Sequence, residues 1–243
     1  MKKTYAILAA VAFSVLLVYW MLPNRYFEES VFPMQEGVVL LGYDDQADGG
    51  TSEISMEVDE NTLGFTCKLG ADTTKSAWCG LLWNMDPDSQ MVYRNWTFVD
   101  SLILDVEAFG TSEVLLKVWT YDPDVTDIKK PRSFRLLMKE LPLKEGAQRL
   151  AIPMEDLYTP DFWYEDGKVD RELNRRHQET VARLEIAPGW NQPREKKFSI
   201  KFKSITAKGV SNLAFGTVLF IFLFLTIVAI GRGHKYRHDT LKE

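Results

Sequence analysis

VDSLILDVEAF (Val99–Phe109) and VLLKVWTY (Val114–Tyr121) decide how the middle of this chain folds. In each stretch apolar and polar residues alternate, the period of a strand with one face in a core. Gly110-Thr111-Ser112 lies between them, a hairpin-length turn. The same alternation extends outward in both directions. Phe65, Cys67 and Leu69 share one face, with Thr66 and Lys68 opposite, and Ala77, Cys79, Leu81 and Trp83 continue the pattern. Ser133–Glu140, Gln148–Ile152, Val181–Ala187 and Phe198–Thr206 are further strands, and a helical turn or two fits Val169–Gln178. Many short strands separated by Gly, Pro and Asp turns predict a mainly β fold, a two-sheet antiparallel jelly-roll sandwich.

Each end of the chain is different. Tyr5–Leu22 and Val210–Ile230 hold no charged residue, and each approaches or exceeds the roughly 17–20 residues a bilayer-crossing helix needs. The chain therefore reads as a short cytoplasmic segment (1–4), a first transmembrane helix (5–22), a folded domain (23–209), a second transmembrane helix (210–230) and a short tail (231–243). A cleaved signal is the competing reading of the first run. The bulky Tyr19-Trp20-Met21-Leu22-Pro23 lacks a small-x-small cleavage site, which favours an anchor. Lys2, Lys3, Arg232, Lys235, Arg237 and Lys242 flank the spans from the two chain ends, so the positive-inside rule places both ends in the cytoplasm. Lys201, Lys203 and Lys208 oppose this, but they alternate as strand residues of the domain. The expected location is the bacterial inner membrane, with the main domain on its periplasmic or extracellular side.

Taking the six basic and two acidic residues of the two ends from the 29 basic and 34 acidic of the chain leaves 23 and 32, a balance of −9 for the domain. An acidic domain without a basic helix or zinc spacing is a poor nucleic-acid partner. The two cysteines, Cys67 and Cys79, face each other if one hairpin turn centred on Thr73 joins their strands. A disulfide and a pair of apolar reduced thiols both fit that placement.

Several segments in this order resemble the galactose-binding-like β-sandwich, the fold of many carbohydrate-binding modules and of related bacterial ectodomains. They are GYDDQADGGTS (42–52), GFTCKLG (64–70), AWCGLLWNM (77–85), the 99–121 pair with Asp122-Pro123, RLAIPMEDLYTPDFW (149–163), ARLEIAPG (182–189) and FSIKFKSITAKG (198–209). The resemblance implies a domain that binds a saccharide without chemistry. It also implies a structural calcium ion where the first strand meets the last, for which Asp44, Asp45 and Asp48 are the available oxygen ligands. Relatives often carry Asp-Asn in the closing strand where this chain has Lys203-Ser204, and an Asp/Gly-rich turn explains the same residues.

Alternation also locates a candidate surface. With Val114, Leu116 and Val118 inward, Lys117, Trp119 and Tyr121 face out. With Phe134, Leu136 and Met138 inward, Arg135 faces out, and with Ala182, Leu184 and Ile186 inward, Arg183 and Glu185 face out. Aromatic rings among charged groups suit a pyranose, whose C–H face lies on a ring while its hydroxyls need donors and acceptors. The competing reading covers this face with Pro160–Tyr164 and makes Trp119 part of a satellite core. Trp163, Tyr164 and Trp190 are reserve candidates, while Trp78, Trp83 and Trp96 are assigned to the core.

No paired carboxylates sit in a motif, and no nucleophile elbow, Walker loop or metal-spaced His cluster occurs, so no enzyme activity is expected. His177 is assigned to solvent. Only Gly231–Glu243 follows the second span, so a sensor of this kind passes its signal to a membrane protein partner through the helices. The alternative function is a non-catalytic assembly subunit of an envelope membrane complex.

Overall fold

A computed structural model describes residues 2–21, 26–210 and 212–240. Leu22, Pro23 and Lys242 lie outside the described residues, as do the side chains of Lys2, His234, Lys235, Arg237 and His238. The chain divides into two units, Met1–Phe27 with Gly209–Glu243, and Glu28–Lys208.

The first unit is helical. Its helices are α1 (Lys2–Met21) and a terminal helix (Asn212–Thr240), which pack against each other, with the Tyr5 hydroxyl 3.5 Å from the Ala229 carbonyl. Lys3–Met21 and Leu213–Arg232 are long and apolar enough to cross a membrane. Their hydroxyls bond within the helix, Ser14 to the Ala10 carbonyl and Thr217 to that of Leu213, which suits an environment without water.

The second unit is a mainly β sandwich of two antiparallel sheets. One contains β3 (Glu53–Val58), β4 (Leu63–Lys68), β11 (Lys197–Val210), β6 (Val99–Phe109) and β9 (Gly146–Pro153) in that order, with β1 (Tyr26–Phe32) also paired to β11. The other runs β2 (Val39–Asp44), β5 (Cys79–Asn84), β10 (Val181–Pro188), β7 (Glu113–Thr120) and β8 (Arg135–Pro142). Strict alternation in β4 and β6 sends Leu63, Phe65, Leu102 and Leu104 into the space between the sheets. There Trp83 from the second sheet meets Phe202 from the first, edge to face with centroids 6.1 Å apart.

Cys67 and Cys79 form a disulfide, Cα atoms 6.4 Å apart, both fully buried. The expected hairpin does not exist. β4 pairs with β3 and β11, while β5 pairs with β2 and β10, so the bridge ties one sheet to the other. The connecting segment carries the chain across the sandwich instead of folding it back.

Two further expectations change. The segment after residue 168 carries a 3₁₀ turn (Gln178–Thr180), and the short helix α2 (Asp161–Gly167) precedes it, so the terminal helix Asn212–Thr240 is α3. His177 is buried, with Nε2 3.5 Å from Asp122 and Nδ1 3.4 Å from Glu179.

Candidate functional site

The face of the β2-β5-β10-β7-β8 sheet turned away from the core holds a groove of about 1250 Å³. Register builds its floor. Glu185 on β10 lies directly across from Lys117 on β7, and Arg183 directly across from Trp119. Directly opposed residues share a face, so these four side chains emerge together. A bulge between Val181 and Arg183 accommodates Ala182 before the regular ladder begins.

Glu185 organises the floor. Its Oε1 accepts hydrogen bonds from the Tyr43 hydroxyl and from Lys117 Nζ at 2.7 Å, and its Oε2 accepts one from Trp119 Nε1 at 2.7 Å. Three donors, two from the neighbouring β7 and one reaching across β5 from β2, thus fix one carboxylate, and the carboxylate fixes the Trp119 ring. Burial, and then the negative charge of Glu185, hold the Tyr43 phenol well above its ordinary range, so it remains a donor. Gly80 makes the Tyr43 contact available. It sits directly opposite Tyr43, and a Cβ there would fall 2.6 Å from the Tyr43 hydroxyl and 2.5 Å from the Ile186 carbonyl.

Arg183 stands at one wall, its guanidinium 4.5 Å from the Phe134 ring centroid and 5.3 Å from that of Trp119. Nη2 donates to the Pro131 carbonyl at 2.6 Å. Burial draws its pKa below the usual value, opposed by Glu185, yet a guanidinium stays charged at neutral pH.

Aromatic rings line the rim. Trp78 is only partly buried and tilts against Tyr43, centroids 5.8 Å apart. Trp190 is 59% exposed and Phe162 42%, packed edge to face at 6.2 Å. Trp190 is nevertheless held: its backbone N–H donates to Glu113 at 3.0 Å and its Nε1 to Glu140 at 3.1 Å. Burial works to raise the pKa of Glu140, but the bonds from Tyr158 and Trp190 outweigh it and hold the carboxyl low.

Of the six expected ligand residues, Lys117, Trp119, Arg183 and Glu185 meet in the groove. Tyr121 does not. It stacks on Tyr93 at 5.2 Å beyond the end of β7, beside Phe134. Arg135 belongs elsewhere altogether: it is fully buried, donating from Nε (2.9 Å) and Nη2 (2.6 Å) to Asp122 and from Nη2 to the Leu173 carbonyl. The inward and outward assignments along β8 are reversed, since Leu136 and Met138 lie opposite Trp119 and Lys117. Those two residues pack with Leu115, Ala187 and Trp163 in a second small core on the groove side. Both faces of β8 are therefore buried, and alternation there carries no in-or-out information. The Pro160–Tyr164 segment is a cover over the β8 side of this face, with Trp163 Nε1 bonded to the Phe134 carbonyl at 2.7 Å, while the β5 and β10 side stays open. Trp119 touches that small core and also lines the groove.

Trp78, Tyr43 and Gly80 were not legible as site residues. Trp78, expected in the core with Trp83 and Trp96, instead lines the groove, and Tyr43 reaches a partner 142 positions away.

The Asp/Gly-rich segment does not converge on an ion. Asp45 is buried and accepts from Ser52 N (2.8 Å), Ser52 Oγ (2.7 Å) and Trp78 N (3.2 Å), so donors fill the space a cation would need. Burial favours the neutral acid, but these bonds prevail and lower its pKa. Asp44 accepts from Gln46 N at 3.1 Å, as in an Asx turn. Among the described residues no group of three or more His, Cys, Asp or Glu is arranged to hold a metal.

Solved structures with this architecture include carbohydrate-binding modules. The family 11 module of the cellulosomal cellulase Lic26A-Cel5E of Clostridium thermocellum matches with a TM-score of 0.51 and 10% identity, over 76% of this chain and 95% of its own. The solution structure of CtCBM11 matches with a TM-score of 0.51 and 10% identity, over 78% of this chain and 99% of its own. No protein-family model and no curated protein sequence matches the chain. The domain thus has the galactose-binding-like jelly-roll fold of carbohydrate-binding modules.

Proposed function

We propose that this protein is a double-pass membrane protein whose sandwich domain, on the far side of the cytoplasmic membrane from both chain ends, binds a carbohydrate in the groove without acting on it chemically. One observation carries the reading: exposed rings, held in place by carboxylates, border a floor of hydrogen-bonded polar groups in a fold used by carbohydrate-binding modules. A sugar ring stacks on Trp78 or on the Trp190–Phe162 pair, replacing apolar water contact, while its hydroxyls exchange bonds with the floor. The sandwich and two membrane-compatible helices agree with the flanking Lys and Arg residues in supporting an exported, anchored receptor.

The test is titration of the full chain, purified in a detergent without a sugar headgroup, against a panel of oligosaccharides. Saturable binding that a Trp190→Ala variant weakens supports the reading. No binding to any member at about millimolar ligand (a binding free energy near −4 kcal/mol), in protein with an intact melting transition, contradicts it.

A further inference from the structure

The groove differs in charge from the domain that bears it. Residues 23–209 carry a balance of −9. Within the groove two ion pairs cancel internally, Lys117 with Glu185 at 2.7 Å and Lys130 with Asp127 at 3.4 Å. What remains along the walls is Arg132, Arg183 and Arg194 against Asp166. Among the described residues no carboxylate lies within 4 Å of any of these three guanidinium groups. Arg194 is a structural cap, donating to the carbonyls of Gly70, Asp72 and Lys75. Arg183 is different. Two aromatic rings hold it in place and its one protein hydrogen bond uses a single N–H of Nη2, so one two-pronged edge, Nε with Nη2 or Nη1 with Nη2, is left to match a carboxylate or sulfate. Arg183 is partly buried and lines the groove. The exposed Arg132 follows Pro131, whose carbonyl anchors Arg183.

The hydroxyls of a neutral glycan can accept from such donors, but only an anion neutralises a guanidinium that has no carboxylate partner. At close range the local excess of guanidinium groups favours an anion, while the domain's more distant negative charge is screened. We infer that the groove selects an acidic saccharide, one bearing a uronate carboxylate or a sulfate ester, with Arg183 as the residue that pairs with the anion. This rests on the carbohydrate-binding reading above and narrows it.

The full chain, in detergent without a sugar headgroup, is titrated with oligogalacturonate, a sulfated galactan oligosaccharide and a neutral glucan oligosaccharide of equal length. At low salt at least one anionic ligand is expected to bind about tenfold or more tightly than the neutral one, with the margin shrinking several-fold at about 0.5 M salt as screening shortens. The two anionic arms separate carboxylate from sulfate recognition. Arg183→Gln is expected to abolish the margin. If that variant fails to fold, Arg132→Gln, at an exposed position, is expected to narrow the margin about threefold, the scale of one partly screened charge pair. Equal or tighter binding of the neutral ligand, or a margin unchanged in both folded variants, overturns the inference and leaves carbohydrate binding standing. Absence of binding to all three ligands overturns both.

Discussion

Lys117 and Glu185 face each other across the β7–β10 ladder, 2.7 Å from Nζ to Oε1, and both are largely withdrawn from solvent. An ion pair in that position gains little net stability from its charges alone, because desolvation offsets the attraction. Its value is geometric, since the same carboxylate also holds the Trp119 indole and the Tyr43 phenol.

Removing one partner is then worse than removing both. Glu185→Leu leaves Lys117 charged without a partner and frees two other donors, and is expected to cost about 3 kcal/mol. The double variant Glu185→Leu with Lys117→Met is expected to recover at least half of that loss. Urea unfolding followed by tryptophan emission measures both. A double variant no better than the single one contradicts the assignment of Glu185 as the hub.

Gly80→Ala is expected to act on the groove more than on the fold. The added methyl collides with Tyr43 and with the Ile186 carbonyl, so Tyr43 must move away from Glu185. Overpacking of this kind costs about 1–3 kcal/mol. The measurable signature is saccharide affinity lost by about tenfold while far-UV circular dichroism stays unchanged; full affinity in this variant would exclude Tyr43 from the site's support.

Arg135 and Asp122 form a buried pair that also receives His177. Arg135→Met leaves the Asp122 carboxylate buried without its cation and is expected to destabilise the domain by about 3–5 kcal/mol. Thermal melting checks this. A loss under about 1 kcal/mol would mean Asp122 is solvated, contrary to its burial.

High pH is expected to weaken the fold through its tyrosines. Burial, then the charge of Asp86, pushes Tyr93 up to about 12, and the bond to Glu140, then burial, pushes Tyr158 up to about 12. The native chain thus holds these protons where the unfolded chain, at about 10, releases them. Their contribution is whole below pH about 10 and is lost as pH rises toward and through about 12. Absorbance titration near 295 nm, a wavelength at which phenolate absorbs, should show tyrosines ionising late in native protein and near pH 10 in urea. Ionisation of all of them near 10 in the native state contradicts these environments.

The strands were legible because most of them have one wet face, and alternation then reports the core directly, as in β4 and β6. The same rule failed on β8, where Leu136 and Met138 are buried against Trp163 on one side and Leu137 and Leu141 on the other. Arg135 was misplaced for that reason. Lys117, Trp119, Arg183 and Glu185 come together on one face as alternation expects, because β7 and β10 are neighbours in the sheet and alternate cleanly. The two cysteines left a disulfide and reduced thiols both open, and the route of the bridge was not readable, since nothing local says whether a turn returns to the same sheet or crosses to the other. Tyr43 and Gly80 carry no local signal, because their importance lies in a contact between distant segments.

The measurement closest to the heart of this account is hydrogen–deuterium exchange on the full chain with and without a saturating oligosaccharide. The expected result is slowed exchange confined to the groove's segments: residues 77–83, 115–119, 127–136, 162–167 and 183–192. Protection elsewhere on the sandwich, with those segments unchanged, would contradict the groove as the binding site.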